Sequence, residues 1–206
     1  MSVNLQKGQK VDLTKGNATL KKIMVGLGWD EVSSTPTKAK GFLGSLMGGG
    51  AQSQQVDCDA SAILCNANSK ITEKGDVVYF GNLTHKTGAV KHMGDNLTGA
   101  GAGDDEQIFV NLPDMPSSYD KVVFVVNIYQ AVQRKQHFGM IQNAFIRIVD
   151  ADTNTELCKF NLSENYDNMT AMIFGEIYRY QNDWKFNAMG QPTTDPGLSE
   201  VIQRYS

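Results

Sequence analysis

Apolar residues fall along the chain in short alternating runs, and turn-forming residues punctuate them at close intervals. Residues 56–67 (VDCDASAILCNA) show the alternation clearly, with Cys58, Ala60, Ala62 and Leu64 on one face and Asp57, Asp59 and Ser61 on the other. Further strands are predicted at 20–29, 76–80, 89–92, 107–112, 121–129, 144–150, 156–162, 171–180 and 184–188, with two short ones around Lys7-Gly8 within residues 2–14. Turn signals separate them at Thr87-Gly88, Leu112-Pro113, 152–154 and 181–183. The run VVFVVNIY (122–129) is apolar on both faces and reads as a central strand under cover. Residues 130–139 are polar, consistent with a short helix or an arched connection, and 198–204 predict a short C-terminal helix. Many short strands with no repeated helix between them give an all-β class: an antiparallel β-sandwich with a few short helices.

Residues 32–55 interrupt the pattern. They contain Ser33-Ser34, Pro36 and Gly48-Gly49-Gly50, and the apolar middle GFLGSLMGGG is too glycine-rich to predict a helix. We expect a single domain over 1–206 carrying a flexible Gly/Ser-rich loop here. Composition bounds the function. A net charge of −3 and a pI near 5.6 exclude a basic nucleic-acid-binding face. The opening residues MSVNLQKGQKVDL lack the apolar core of a secretory signal, and no run of 18 apolar residues exists, so a cytoplasmic setting is expected. The three cysteines, Cys58, Cys65 and Cys158, are odd in number. Cys58 and Cys65 would lie on opposite faces of one strand, which forbids pairing and predicts reduced thiols.

The candidate chemistry sits at 94–106, GDNLTGAGAGDDE. No Lys or Arg occurs between Lys91 and Lys121, so the sequence places no cation near Asp95, Asp104, Asp105 and Glu106. Their repulsion is relieved either by water around an exposed turn or by a hard cation. Ca²⁺ takes six to eight oxygens, and glycines let a backbone turn its carbonyls inward. Counting from Asp95, Glu106 falls twelfth, as in an EF-hand, but Leu97 and Gly99 occupy the third and fifth positions and Ala100 replaces the required glycine. The EF-hand is therefore rejected, and ligands must arrive from another segment. Asp57 and Asp59, two strand steps or about 6.6 Å apart, are the natural donors, with Asp30 a further one. The candidate metal set is thus Asp30, Asp57, Asp59, Asp95, Asn96, Asp104, Asp105 and Glu106, with Gly99, Gly101 and Gly103 offering carbonyls. Mg²⁺ fits less well because it keeps its waters.

Other chemistries fail. No Gly-Lys-Ser/Thr follows the glycines, so a phosphate loop is excluded. His85, His92 and His137 lack zinc-site companions and are expected at the surface or at strand ends. No nucleophile elbow occurs. Asp150, Asp152, Glu164 and Asp183 read as turn formers, and Arg147 as a cation able to anchor a loop carboxylate.

Five collinear blocks, GLGWD (26–30), DCDASAILCN (57–66), GDNLTGAGAGDDE (94–106), NAFIRIVD (143–150) and TAMIFGEIYRYQNDWKF (170–186), resemble the TerD family of bacterial tellurium-resistance and stress-response proteins. The resemblance implies a β-sandwich that binds Ca²⁺, typically two ions, between adjacent loops. It implies a non-enzymatic role in resistance to tellurite and other stresses. It further implies association with the membrane protein TerC and the small soluble protein TerB at the inner face of the membrane. Residues 32–55 depart from the compact members in length and apolarity. The family's name also raises a second reading, tellurite handling by the thiols of Cys58, Cys65 or Cys158.

Overall fold

The computed structural model describes residues 2–31, 56–94 and 103–206. The expected loop at 32–55 therefore lies outside the described residues, as do Asp95, Asn96, Gly99 and Gly101 of the candidate metal set. The described strands are β1 (Val3–Leu5), β2 (Lys10–Asp12), β3 (Lys22–Glu31), β4 (Cys58–Cys65), β5 (Val77–Val78), β6 (Val90–His92), β7 (Glu106–Asn111), β8 (Lys121–Ile128), β9 (Ile141–Asp150), β10 (Thr155–Asn161), β11 (Ala171–Tyr180) and β12 (Asp183–Thr193). Among the described residues there are two short α-helices, α1 (Ala131–Arg134) between β8 and β9 and α2 (Leu198–Gln203) after β12. One sheet has the order β1-β10-β9-β3-β7-β6, the other β2-β12-β11-β8-β4-β5. All pairings are antiparallel except β1 on β10.

The sandwich follows from period-two burial. Val25 and Leu27 of β3, Ile108 and Val110 of β7, and Ile146 and Ile148 of β9 meet Ala60, Ala62, Phe124, Phe174 and Phe186 of the facing sheet. The alternation read in β4 is as expected, with Cys58 in this core and Cys65 on the far side of its sheet. That far side explains the doubly apolar β8: Val123 and Val125, together with Ile63, Val77 and Ile173, are covered by Val201 of α2.

The histidine expectation is corrected at His85, which lies outside the named strands and is buried, whereas His92 does end β6 but is buried there too. His85 and His92 are each 1% exposed. His85 belongs to a network centred on buried Asp76, whose Oδ1 accepts the Tyr119 hydroxyl at 2.5 Å and lies 3.3 Å from His85 Nε2. Asp76 Oδ2 accepts from the Thr72 hydroxyl and from the Thr72 and Glu73 amides. Burial alone would push the pKa of Asp76 up, but the hydrogen bonds from Tyr119, Thr72 and His85 outweigh it and hold the carboxyl below the ordinary 3.8. An isolated sequence offers little to pair Asp76 with Tyr119, because they meet only through the tertiary fold.

Among the described residues no helix is long and apolar enough to cross a membrane. Replacing Tyr119 with Phe removes a bond to a charged group and should cost about 2 kcal/mol in urea unfolding at neutral pH. A depressed folded-state pKa stabilises above the ordinary value, and that stability is lost as pH falls through the folded value. The variant should therefore lose less on acidification than the parent.

Candidate functional site

The candidate residues converge at one end of the sandwich, where β3 ends, β4 begins, and β6 hands over to β7. Gly26 and Gly28 lie on the outer face of β3, opposite the core-facing Val25 and Leu27. A Cβ at Gly26 would collide with the Asp104 carboxylate, and one at Gly28 with the Phe145 ring and the Gly103 carbonyl. The missing side chains thus let residues 103–104 lie flat on the strand, which is the physical content of the GLGWD block.

Asp104 is fixed there by Arg147 of β9. The Arg147 Nε donates to Oδ1 at 2.7 Å and a terminal nitrogen to Oδ2 at 2.9 Å, a bidentate pair, and Gln107 Nε2 adds a contact to Oδ2 at 3.2 Å. The Asp104 side chain is fully buried beneath this pair. The Asp104 hydrogen bond, more than any other influence, pushes the pKa of Arg147 up, with Glu156 contributing from 3.5 Å away.

Asp105 continues the attachment through its backbone, its amide donating to the Leu27 carbonyl at 2.8 Å, while its Oδ2 accepts the Trp29 amide at 2.7 Å. Burial pushes its carboxyl up. The Trp29 bond opposes the shift, and the negative charges of Asp30 and Asp104 add to it. Asp30 is exposed beside Asp105 and accepts from Asn143 Nδ2 at 2.8 Å. A bulge between Gly28 and Asp30 creates this contact, with Asn143 at φ 55°. A polar cleft of about 380 Å³ opens here between Trp29, Asp30, Gly103, Asn143 and Phe145, with Lys159 Nζ 3.8 Å from the Phe145 ring centroid.

Glu106 turns inward, 3% exposed, with Oε2 2.7 Å from His92 Nε2. The Gly94 amide donates to His92 Nδ1 at 2.9 Å, so that nitrogen carries the lone pair and the ring proton sits on Nε2, between Glu106 and the Ala60 carbonyl at 3.1 Å. The Asp57 carboxylate lies 3.4 Å from an Arg134 terminal nitrogen, and its carbonyl accepts the Tyr129 amide. Asp59 faces the outer side of the second sheet, bordering a different cavity. Asp59 and Asp104 therefore occupy opposite outer faces of the sandwich, whereas Asp30, Asp57 and Asp105 belong to its rim. Among the described residues, no three acidic, His or Cys side chains already form a cation-sized group.

Sequence reasoning missed two participants. Glu31 adds an acid to the rim and accepts the Val56 amide at 2.6 Å, tying together the residues that flank 32–55. His92 was invisible because its partners come from three different segments, although its position two residues before Gly94 was a usable signal. Burial first, then Asp59, Asp57, Glu31 and Asp105, pushes the Cys58 thiol well up, and burial pushes Cys65 and Cys158 to about 12. All three are buried and unpaired.

Comparison with known proteins gives a consistent picture. The model of the TerD domain matches residues 1–205. The stress response protein SCP2 of Bacillus subtilis is 54% identical over 205 residues, covering 100% of both chains. The tellurium resistance protein TerD of Serratia marcescens is 42% identical over 100% of this chain and 97% of its own. A crystal structure of a homologue of telluride resistance protein from Streptomyces coelicolor superposes with a TM-score of 0.63 over 91% of this chain and 98% of that one, at 18% identity, which is a likeness of fold.

Two outcomes test the geometry. Arg147→Ala strands a buried carboxylate and should cost about 3 kcal/mol in denaturant unfolding, only partly restored by Lys, which lacks the fork. A carboxyl whose folded-state pKa is raised destabilises the fold above that pKa and ceases to do so as pH falls. Asp105→Asn should therefore raise the neutral-pH melting temperature of calcium-free protein, with the gain vanishing in acid.

Proposed function

Because the chain belongs to the TerD domain family, we propose that it acts without catalysis, as a calcium-ordered adaptor in a bacterial stress-response complex that includes resistance to tellurium compounds. The observation that carries this reading is the rim itself. Asp105 is held in a partly buried position, and that burial first, then the charges of Asp30 and Asp104, push its carboxyl up. Its uncompensated charge is relieved by a hard cation, and the groups around it are hard oxygen donors.

The rim acids divide by role in this reading. Asp104, locked to Arg147, and Glu106, against His92, are anchors for the returning strand. Asp30, Asp57 and Asp105 face the rim as donors. Asp95, Asn96 and the carbonyls of the glycine-rich segment, outside the described residues, complete the set. Bound Ca²⁺, two ions by the family resemblance, would supply charge neutralisation and oxygen coordination. The Arg147 and His92 anchors position both sides of the loop before any ion arrives, so the remaining ordering is confined to the rim. That surface is then available for a partner. By the family resemblance the partners in this reading are TerB and the membrane-embedded TerC, and its setting is the cytoplasm with peripheral attachment at the inner membrane face. Nucleic acid is not a partner in this reading, given the net charge of −3.

The thiol-based reading gains no support. A tellurite-reactive cysteine needs an accessible thiolate, and burial keeps Cys58, Cys65 and Cys158 protonated.

Millimolar calcium should raise stability by about 4 kcal/mol if it stands a thousandfold above Kd. Thermal melts in calcium and in chelator measure this, and coincident melts would remove the proposal. Asp30→Asn combined with Asp105→Asn should abolish the calcium increment without unfolding the protein.

A further inference from the structure

A second cavity, of about 580 Å³, lies on the outer face of the β4–β8 sheet beside α2, within the range of small-molecule sites. Its floor carries Asn127 and Asp59, direct cross-strand partners on β8 and β4, and its walls include Tyr79, Phe80 and Tyr129. Asn127 is 5% exposed, and its side-chain carbonyl oxygen has no hydrogen-bond partner. A buried amide oxygen without a donor is costly, and a cavity beside it gives a donor a place to stand. Phe80 is 52% exposed and Tyr129 40% exposed, so the aromatic walls reach the mouth rather than closing into the core.

The charge balance selects the ligand. Asp59 and Glu200 line the cavity against Lys74 as the sole cation in its described lining. An acceptor oxygen, two carboxylates and aromatic rings suit a positively charged donor with an apolar body, because ring faces attract cations and carboxylates accept from them. One amide and one carboxylate on the floor are too few for Ca²⁺, which needs six to eight oxygens. We propose that this cavity is a receptor for a small organic ammonium ion, an aryl- or alkylamine whose –NH₃⁺ donates to Asn127 Oδ1 and Asp59 while its hydrocarbon body packs on Tyr79 and Phe80. The site is separate from the calcium rim and from the family role argued above.

The test uses tryptamine as the probe, with tryptophol as the neutral analogue, indole-3-propionate as the anionic one and N-acetyl-lysine methylamide as the peptide analogue. Calorimetric titrations run in chelator keep the outcome independent of calcium. Tryptamine should bind with Kd below about 1 mM and at least about tenfold more tightly than the other three. Asn127→Leu should weaken tryptamine by about tenfold while leaving the melting temperature equal or higher, since it removes an unsatisfied oxygen. Ser199→Trp, at an exposed position on the cavity lining, should block binding in a normally folded protein. No saturation by tryptamine, equal binding of tryptophol, or tighter binding of the propionate or the lysine amide would overturn the assignment. So would unchanged tryptamine affinity in both variants.

Discussion

The arrangement of the rim depends on one interaction, the bidentate pair between Arg147 and Asp104 over Gly26. A fully buried carboxylate is costly unless paired in good geometry, and the guanidinium fork supplies that geometry. The pair is possible only because β3 presents no side chain at Gly26 to the returning backbone. Sequence and packing are therefore coupled in both directions. The glycine makes room for the acid, and the acid requires the arginine two strands across the sheet from β7.

With Asp104 fixed, its neighbours acquire distinct characters. Asp105 must run alongside Leu27 and Trp29, where partial burial, with a smaller contribution from neighbouring Asp30, raises the proton affinity of its carboxyl. Glu106 must then point between the sheets, where His92 meets it. Three consecutive acids thus face an arginine, a crowded rim and a core histidine. His92 precedes the glycine-rich segment and Glu106 follows it, so one buried contact clamps both sides of its base. Charge left over at the rim is the feature on which the calcium proposal rests.

Much of this was legible in the sequence, for identifiable reasons. Strand alternation in 56–67 placed Cys58 and Cys65 on opposite faces because the period of two has no freedom once one face is buried. The doubly apolar β8 announced a cover, and α2 provides it through Val201. Arg147 was readable as a rim charge able to anchor a loop carboxylate, and it holds Asp104. Interactions assembled from distant segments were less legible. His85 and His92 carry no local pattern that separates a buried partner from a surface residue. The grouping of Asp59 with the loop followed correctly from alternation up to the strand's own face, but alternation is silent about which face of the sandwich the loop will cover. The loop crosses the first sheet at Asp104, while Asp59 looks out from the second.

The central claim is that rim carboxylates held in place by buried anchors form the oxygen face of a calcium site. Isothermal titration of the chelator-treated protein with CaCl₂ addresses it directly. The account predicts saturable binding of one or two ions per chain, lost in the Asp30→Asn/Asp105→Asn double variant while the Arg147–Asp104 anchor is untouched. Absence of saturable heat at any calcium concentration up to about 1 mM, confirmed by equilibrium dialysis, would contradict it.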